Sequence, residues 1–150
     1  MLLNEVDVRE DLILRFLNLS DLPGSQHPGV KQEEFVSKSK AAGALPDWMY
    51  SSGIDYFDRD SLIKENRSLA GRLPIEIPWL MGEYTEGVFP GRVDPERLIL
   101  IAYNILKDYS AAIYLDEDEL RLIAMDQVDG KTCWVTIYDR FEDFLTDLGV

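Results

Sequence analysis

The chain has one cysteine, Cys133, and one histidine, His27, among 150 residues. A single cysteine excludes an internal disulfide and any cysteine-based zinc site built within one chain, and it agrees with a reducing compartment. Basic residues are also scarce: fifteen Lys and Arg stand against twenty-eight Asp and Glu, for a formal charge of -13. Such a charge repels nucleic acid and anionic membranes, and it raises the encounter rate with cationic partners. No stretch approaches the roughly eighteen apolar residues of a membrane span. The opening residues include Glu5, Asp7, Glu10 and Asp11, so they lack both the basic start and the apolar core of a signal peptide. A cytoplasmic protein is expected, with neither nucleic acid nor membrane as partner.

Cofactor chemistry is equally thin. There is no cysteine/histidine cluster, no Gly-rich phosphate loop and no complete calcium loop, so no metal or cofactor is expected. His27 lies among Pro23, Gly24, Pro28 and Gly29, which is turn composition. Without a visible orienting partner it reads as a solvent-facing loop residue rather than a catalytic base. Cys133 sits in an alternating strand pattern and reads as a small buried hydrophobe. No catalytic residue is assigned, and the chain is not expected to be an enzyme.

What is present is a core. Hydrophobic residues make up 46% of the chain and aromatics 11%, enough for one globular domain over residues 1–150. Asn4 can cap a first helix whose apolar stripe is Val8, Leu12, Ile13, Phe16, Leu17 and Leu19. A second helix is expected over about 32–42, closed by Gly43 and Pro46. Residues 54–57 read as a short strand. Asp58 or Asp60 can then cap a helix carrying Leu62, Ile63 and Leu69. An irregular strand is expected over 75–81, followed by loop.

The last third is the most ordered pattern. Four apolar runs, 98–103, 110–115, 120–125 and 131–138, are parted by connections too short for crossover helices, so they must pair antiparallel. Asp129 and Gly130 form a tight-turn pair between the last two. Asp139 is placed to cap a final helix over 140–148, with Glu142 completing a capping box and Phe141, Phe144, Leu145 and Leu148 as its stripe. The fold class is therefore α+β: an antiparallel sheet with a C-terminal four-strand meander, flanked by N-terminal helices and a C-terminal helix.

Two features suggest a binding surface. Asp116, Glu117, Asp118 and Glu119 form the densest acidic run, placed at a hairpin turn where it can meet a cationic partner or simply be solvated. In the last strand, alternation places Cys133, Val135 and Ile137 on one face and Trp134 and Tyr138 on the other, with Thr132 and Thr136. The Trp134 face is either covered by the first helices or offers an aromatic binding platform of the kind that dominates interfaces.

The order of several segments resembles the SUKH superfamily, which contains yeast cell-wall assembly regulators and many bacterial immunity proteins. The matching pieces are Leu45, Pro46 and Asp47 after a helical stretch, the strand-to-helix segment 53–67, the segment 78–83, and residues 139–145 at the end. The resemblance implies a SUKH-like α+β domain without catalysis that acts by binding a protein, often a toxin. No functional residue carries over from it, because the matching motifs are structural. The leading expectation is thus an immunity protein that neutralises a basic toxin domain through an acidic surface, as in toxin–antitoxin pairs. The competing one is a small enzyme or ligand-binding domain whose pocket is assembled from scattered residues such as Tyr56, Trp79 and Arg92.

Overall fold

The computed structural model describes Leu12, Ile13, Phe16 and residues 54–57, 59–72, 78–104, 109–117 and 119–148. The expected helix over 32–42 and most of the first stripe, like His27, lie outside the described residues. Leu12, Ile13 and Phe16 are helical and buried, as their spacing requires of a single helix face.

Six strands form one sheet: β1 (Ile54–Tyr56), β2 (Pro90–Gly91), β3 (Leu98–Asn104), β4 (Tyr109–Asp116), β5 (Glu119–Val128) and β6 (Lys131–Tyr138). Their order is β1-β3-β4-β5-β6-β2, with every neighbouring pair antiparallel. Strands β3 to β6 are each long enough to bury alternating side chains, and short connections join them in sequence order. The β5–β6 hairpin closes over Asp129 and Gly130, both at positive φ, between the paired Val128 and Lys131. Asp and Gly tolerate the backbone that matches the strand twist. Among the described residues, two further helices complete the mixed α+β architecture, α1 (Arg59–Arg72) and α2 (Phe141–Leu148).

Alternation along the strands fills both faces of the sheet. Ile99, Ala111, Ile113, Leu122 and Ala124 join Leu12, Ile13, Phe16, Leu62, Phe141, Phe144 and Leu145 in one buried cluster. The intervening Leu98, Leu100, Ala112, Ile123 and Met125 join Leu80, Val93 and Trp134 in a second. The first face is closed by helices, with the rings of Phe16 and Phe141 6.1 Å apart and those of Phe141 and Phe144 6.0 Å apart. Among the described residues, the second is closed by irregular chain on either side of β2. Of the strand expected over 75–81, residues 75–77 lie outside the described residues, and Pro78–Met81 is a 3-10 turn. Pro78 supplies no N–H to a ladder, which disfavours an interior strand position.

Two β-bulges change which face a residue occupies. Ala102 pairs with Ala111 while Leu100 pairs with Ala112, leaving Ile101 as an extra residue in β3. Ile101 and Ala102 consequently share the helical face, because an inserted residue reverses the alternation beyond it. The buried side chain of Asn66 on α1 meets this irregularity. Its amide oxygen accepts from the Leu100 N–H at 2.7 Å, and its Nδ2 donates to the Leu100 carbonyl at 3.0 Å and to the Leu62 carbonyl at 2.9 Å. Strand β1 is only three residues long, and Phe57 N–H still reaches the Ile101 carbonyl at 3.0 Å. Asn66 takes over there, giving backbone groups of β3 the partner that a longer strand would supply.

The second bulge is at Ile137: Tyr138 pairs with Leu122 and Thr136 with Ile123. Tyr138 therefore turns to the helical face, where its ring lies 5.1 Å from that of Phe144. The expected grouping of Tyr138 with Trp134 is corrected by this one extra residue.

Candidate functional site

The segment before and through β2 is shaped by glycine. Gly82, Gly87 and Gly91 all have positive φ, a backbone that side chains with a Cβ resist. At Gly82 the need is doubly enforced, since a Cβ would stand 2.4 Å from the Gly91 carbonyl oxygen and 2.8 Å from the Trp134 ring. The chain thus passes in contact with Trp134 and hydrogen-bonds along β6: Glu83 N–H donates to the Thr132 carbonyl at 3.0 Å, and Thr132 N–H donates to the Glu83 carboxylate at 3.1 Å. At the far end of this strap the Phe89 carbonyl accepts from both the Thr136 N–H at 3.0 Å and the Thr136 hydroxyl at 2.8 Å. The Phe89–Pro90 peptide is cis.

This anchoring holds Phe89 at the surface with 51% of its area exposed. Beside it an open groove of about 490 Å³ is lined by Val88, Phe89, Val128 and Val135 together with Thr136, Arg121 and Asp139. The Arg121 guanidinium lies 4.8 Å from the centre of the Phe89 ring, within cation–π range. Its Nε donates to Asp116 at 3.1 Å and its Nη1 to Asp139 at 2.7 Å. One arginine therefore ties the start of the acidic turn to the rim of the groove.

The sequence-derived site residues separate on inspection. Asp116 pairs with Glu119 at the end of the β4–β5 hairpin, and Glu117 sits at positive φ and exposed between them; Asp118 lies outside the described residues. Asp116 is engaged by Arg121, and Glu119 lies 3.6 Å from Arg140. The turn is thus partly neutralised from within. Trp134 is no surface residue: it is 0% exposed, and its indole N–H donates to the Leu80 carbonyl at 2.7 Å. A partner cannot reach it, and among the described residues it is irregular chain that covers its face. Tyr138 is half-buried, its ring packed among core side chains and its hydroxyl donating to Asp147 at 2.8 Å. The two aromatic residues proposed for binding are thereby structural.

Asp139, expected as a helix cap, is drawn away by Arg121. The helix begins at Phe141, and the first-turn bond runs from Asp143 N–H to the Arg140 carbonyl at 3.0 Å, so Asp139 stands one residue too early. Cys133 is wholly buried, its thiol 3.8 Å from the Asp126 carbonyl. For the scattered-pocket reading, Tyr56 and Arg92 fall at opposite edges of the sheet, with β3 to β6 between β1 and β2. The side chains of Tyr56 and Trp79 lie outside the described residues, and exposed Arg92 reaches the Met81 sulfur at 4.0 Å. Among the described residues, no group of three or more His, Cys, Asp or Glu is arranged to hold a metal ion, and no helix is long and apolar enough to cross a membrane.

Phe89, Arg121 and Asp139 together were missed by sequence reasoning. The only local signal was an aromatic residue inside the Gly/Pro-rich stretch 87–91, and nothing local links it to Arg121 thirty-two positions later. No protein-family model, curated protein or solved structure matches the chain.

Proposed function

We propose that this chain is a non-catalytic protein-binding module of the immunity type, which neutralises a basic toxin domain in the cytoplasm through an acidic surface. The observation that carries the reading is the joining of the acidic β4–β5 turn to an open groove containing an exposed phenylalanine, through the Arg121 contacts with Asp116, Asp139 and Phe89. Charge brings a basic partner to the surface quickly, and apolar contact retains it. The net charge of -13 supports the first step. Phe89 in its groove supports the second. A SUKH-like arrangement, with the N-terminal helices packed on the sheet beside Leu12, Ile13 and Phe16, is part of the same proposal.

The test is association kinetics of the immobilised protein with a panel of basic nuclease-type toxin domains, at low and at physiological salt. Binding is expected for a cognate member, with an association rate that falls as salt rises. Replacing Asp116, Glu117, Asp118 and Glu119 with Asn or Gln should slow association several-fold while leaving dissociation nearly unchanged, because exposed rim charges add little lasting affinity. A partner whose association rate is indifferent both to salt and to these replacements would end the electrostatic-capture reading.

A further inference from the structure

We infer that the groove at the β2–β6 edge is the docking site for a basic segment of the partner, one that places a lysine or arginine against Asp139 with an apolar neighbour on Phe89. This rests on the proposed capture of a basic protein and names where and how that capture is made. A single exposed apolar side chain is ordinary on a protein surface, but three observations set Phe89 apart. It opens onto a concavity that Val88, Val128 and Val135 also line, so an incoming apolar group finds contact on more than one side. Its backbone is pinned by the two hydrogen bonds from Thr136, so little freedom is lost when the ring is covered. Its ring also lies close to a guanidinium that is itself held by two carboxylates.

Charge selects the occupant. Arg121 is the one cation lining the groove among the described residues, and Asp116 and Asp139 together outweigh it, leaving the trio with a net negative charge. The Asp139 side chain is 83% exposed, and a carboxylate has about four acceptor positions, of which the Arg121 bond occupies one. It can accept a second cation from solution. Lysine and arginine carry apolar stems beneath their charged heads, so one such side chain can cover Val135 or Phe89 while its head meets Asp139. An acidic segment would face repulsion from Asp139 and from the whole -13 chain. A second copy of this chain would bring that same charge with it.

The experiment is an amide NMR titration of the full chain with the capped peptide Leu-Lys-Val-Lys-Leu, with its Leu-Glu-Val-Glu-Leu counterpart in parallel. Saturable shifts are expected from the lysine peptide at Val88, Phe89, Val135, Thr136 and Asp139, with none from the glutamate peptide. Phe89→Ala, which alters an exposed side chain and should leave the remaining spectrum intact, is expected to weaken binding about tenfold. Asp139→Asn should weaken it about threefold and flatten its salt dependence. Lysine-peptide shifts centred on Glu117 and Glu119, with Phe89→Ala without effect, would overturn the groove as the site while leaving capture by the acidic surface standing. Equal binding of both peptides would overturn the charge selection. Shifts at the groove residues on diluting the protein alone would assign the groove to a second copy. If the lysine peptide produces no saturable shift anywhere at millimolar concentration, the groove proposal falls, while salt-dependent association with basic toxin domains still decides the basic-partner reading.

Discussion

Among the described residues, one face of the sheet is covered by helices and the other by chain with almost no regular structure, yet both faces bury their side chains. On the helical face, Leu62 from one helix and Phe141, Phe144 and Leu145 from another pack with Ile99, Ile113 and Leu122, so the load is spread over many side chains. On the strap face, Leu80 and Val93 are, among the described residues, the buried apolar ones contributed from outside the ladder, and Trp134 joins them to the strands. A helix satisfies its own backbone and can cover a sheet with side chains alone. An irregular segment must find partners for its peptide groups, and this one finds them on its neighbours: Val93 N–H on the Met81 carbonyl at 2.9 Å, Glu83 N–H on Thr132, and the Leu80 carbonyl on the Trp134 indole. The helical face therefore resists by redundancy. The strap face depends on a few residues that each do two things.

The contrast breaks most sharply at Trp134. Trp134→Ala removes the largest buried side chain, leaves a cavity and deprives the Leu80 carbonyl of its donor. A loss of roughly 3–5 kcal/mol is expected from the cavity, with about 1 kcal/mol more from the orphaned carbonyl. Urea unfolding would measure it. Leu145→Ala on the helical face should cost less, roughly 2–5 kcal/mol, and a reversed order would refute the claim that the strap face concentrates its stability.

Asn66→Ala probes a place where the helical face also depends on a buried polar side chain. Both Leu100 backbone groups would lose their Asn66 partner while buried, and roughly 2–4 kcal/mol should be lost. Hydrogen exchange is the sharper readout: the Leu100 amide should lose protection far more than that of Ile123. A uniform loss of protection across the sheet would mean that Asn66 stabilises the fold generally and not this edge.

The smallest effect is expected at Glu83. Its carboxylate bond to Thr132 N–H is exposed, and Glu83→Ala should cost no more than about 1 kcal/mol. Selectively faster exchange at the Thr132 amide would locate the effect in the strap. An unfolding midpoint lowered as far as by Trp134→Ala would show that the strap is held by its rim and not by its buried indole.

Local periodicity and turn chemistry were sufficient for the strands β3 to β6, their tight Asp129–Gly130 turn and the apolar stripe of α2. Each depends on residues within one element, where a period of two or of 3.6 is written directly along the chain. Much of the strap was less legible, because Pro78 and three glycines of positive φ interrupt any period. Burial of Trp134 could not be read either, since alternation sorts residues into two faces without saying what covers each.

Tertiary structure alone decided two matters. The bulges at Ile101 and Ile137 reverse alternation midway along β3 and β6, and they exist only as mismatches between paired strands, so Tyr138 changes face for a reason that its own strand does not contain. The candidate site is likewise a product of pairing order. Strand β2 returns to lie beside β6, which lies beside β5, and this brings Phe89, Arg121, Thr136 and Asp139 around one groove. Sequence by itself determined strands β3 to β6, helix α2 and the acidic surplus, because those follow from composition and short-range spacing. Which distant side chains meet follows from chain return over tens of residues, where no local pattern can specify the partner.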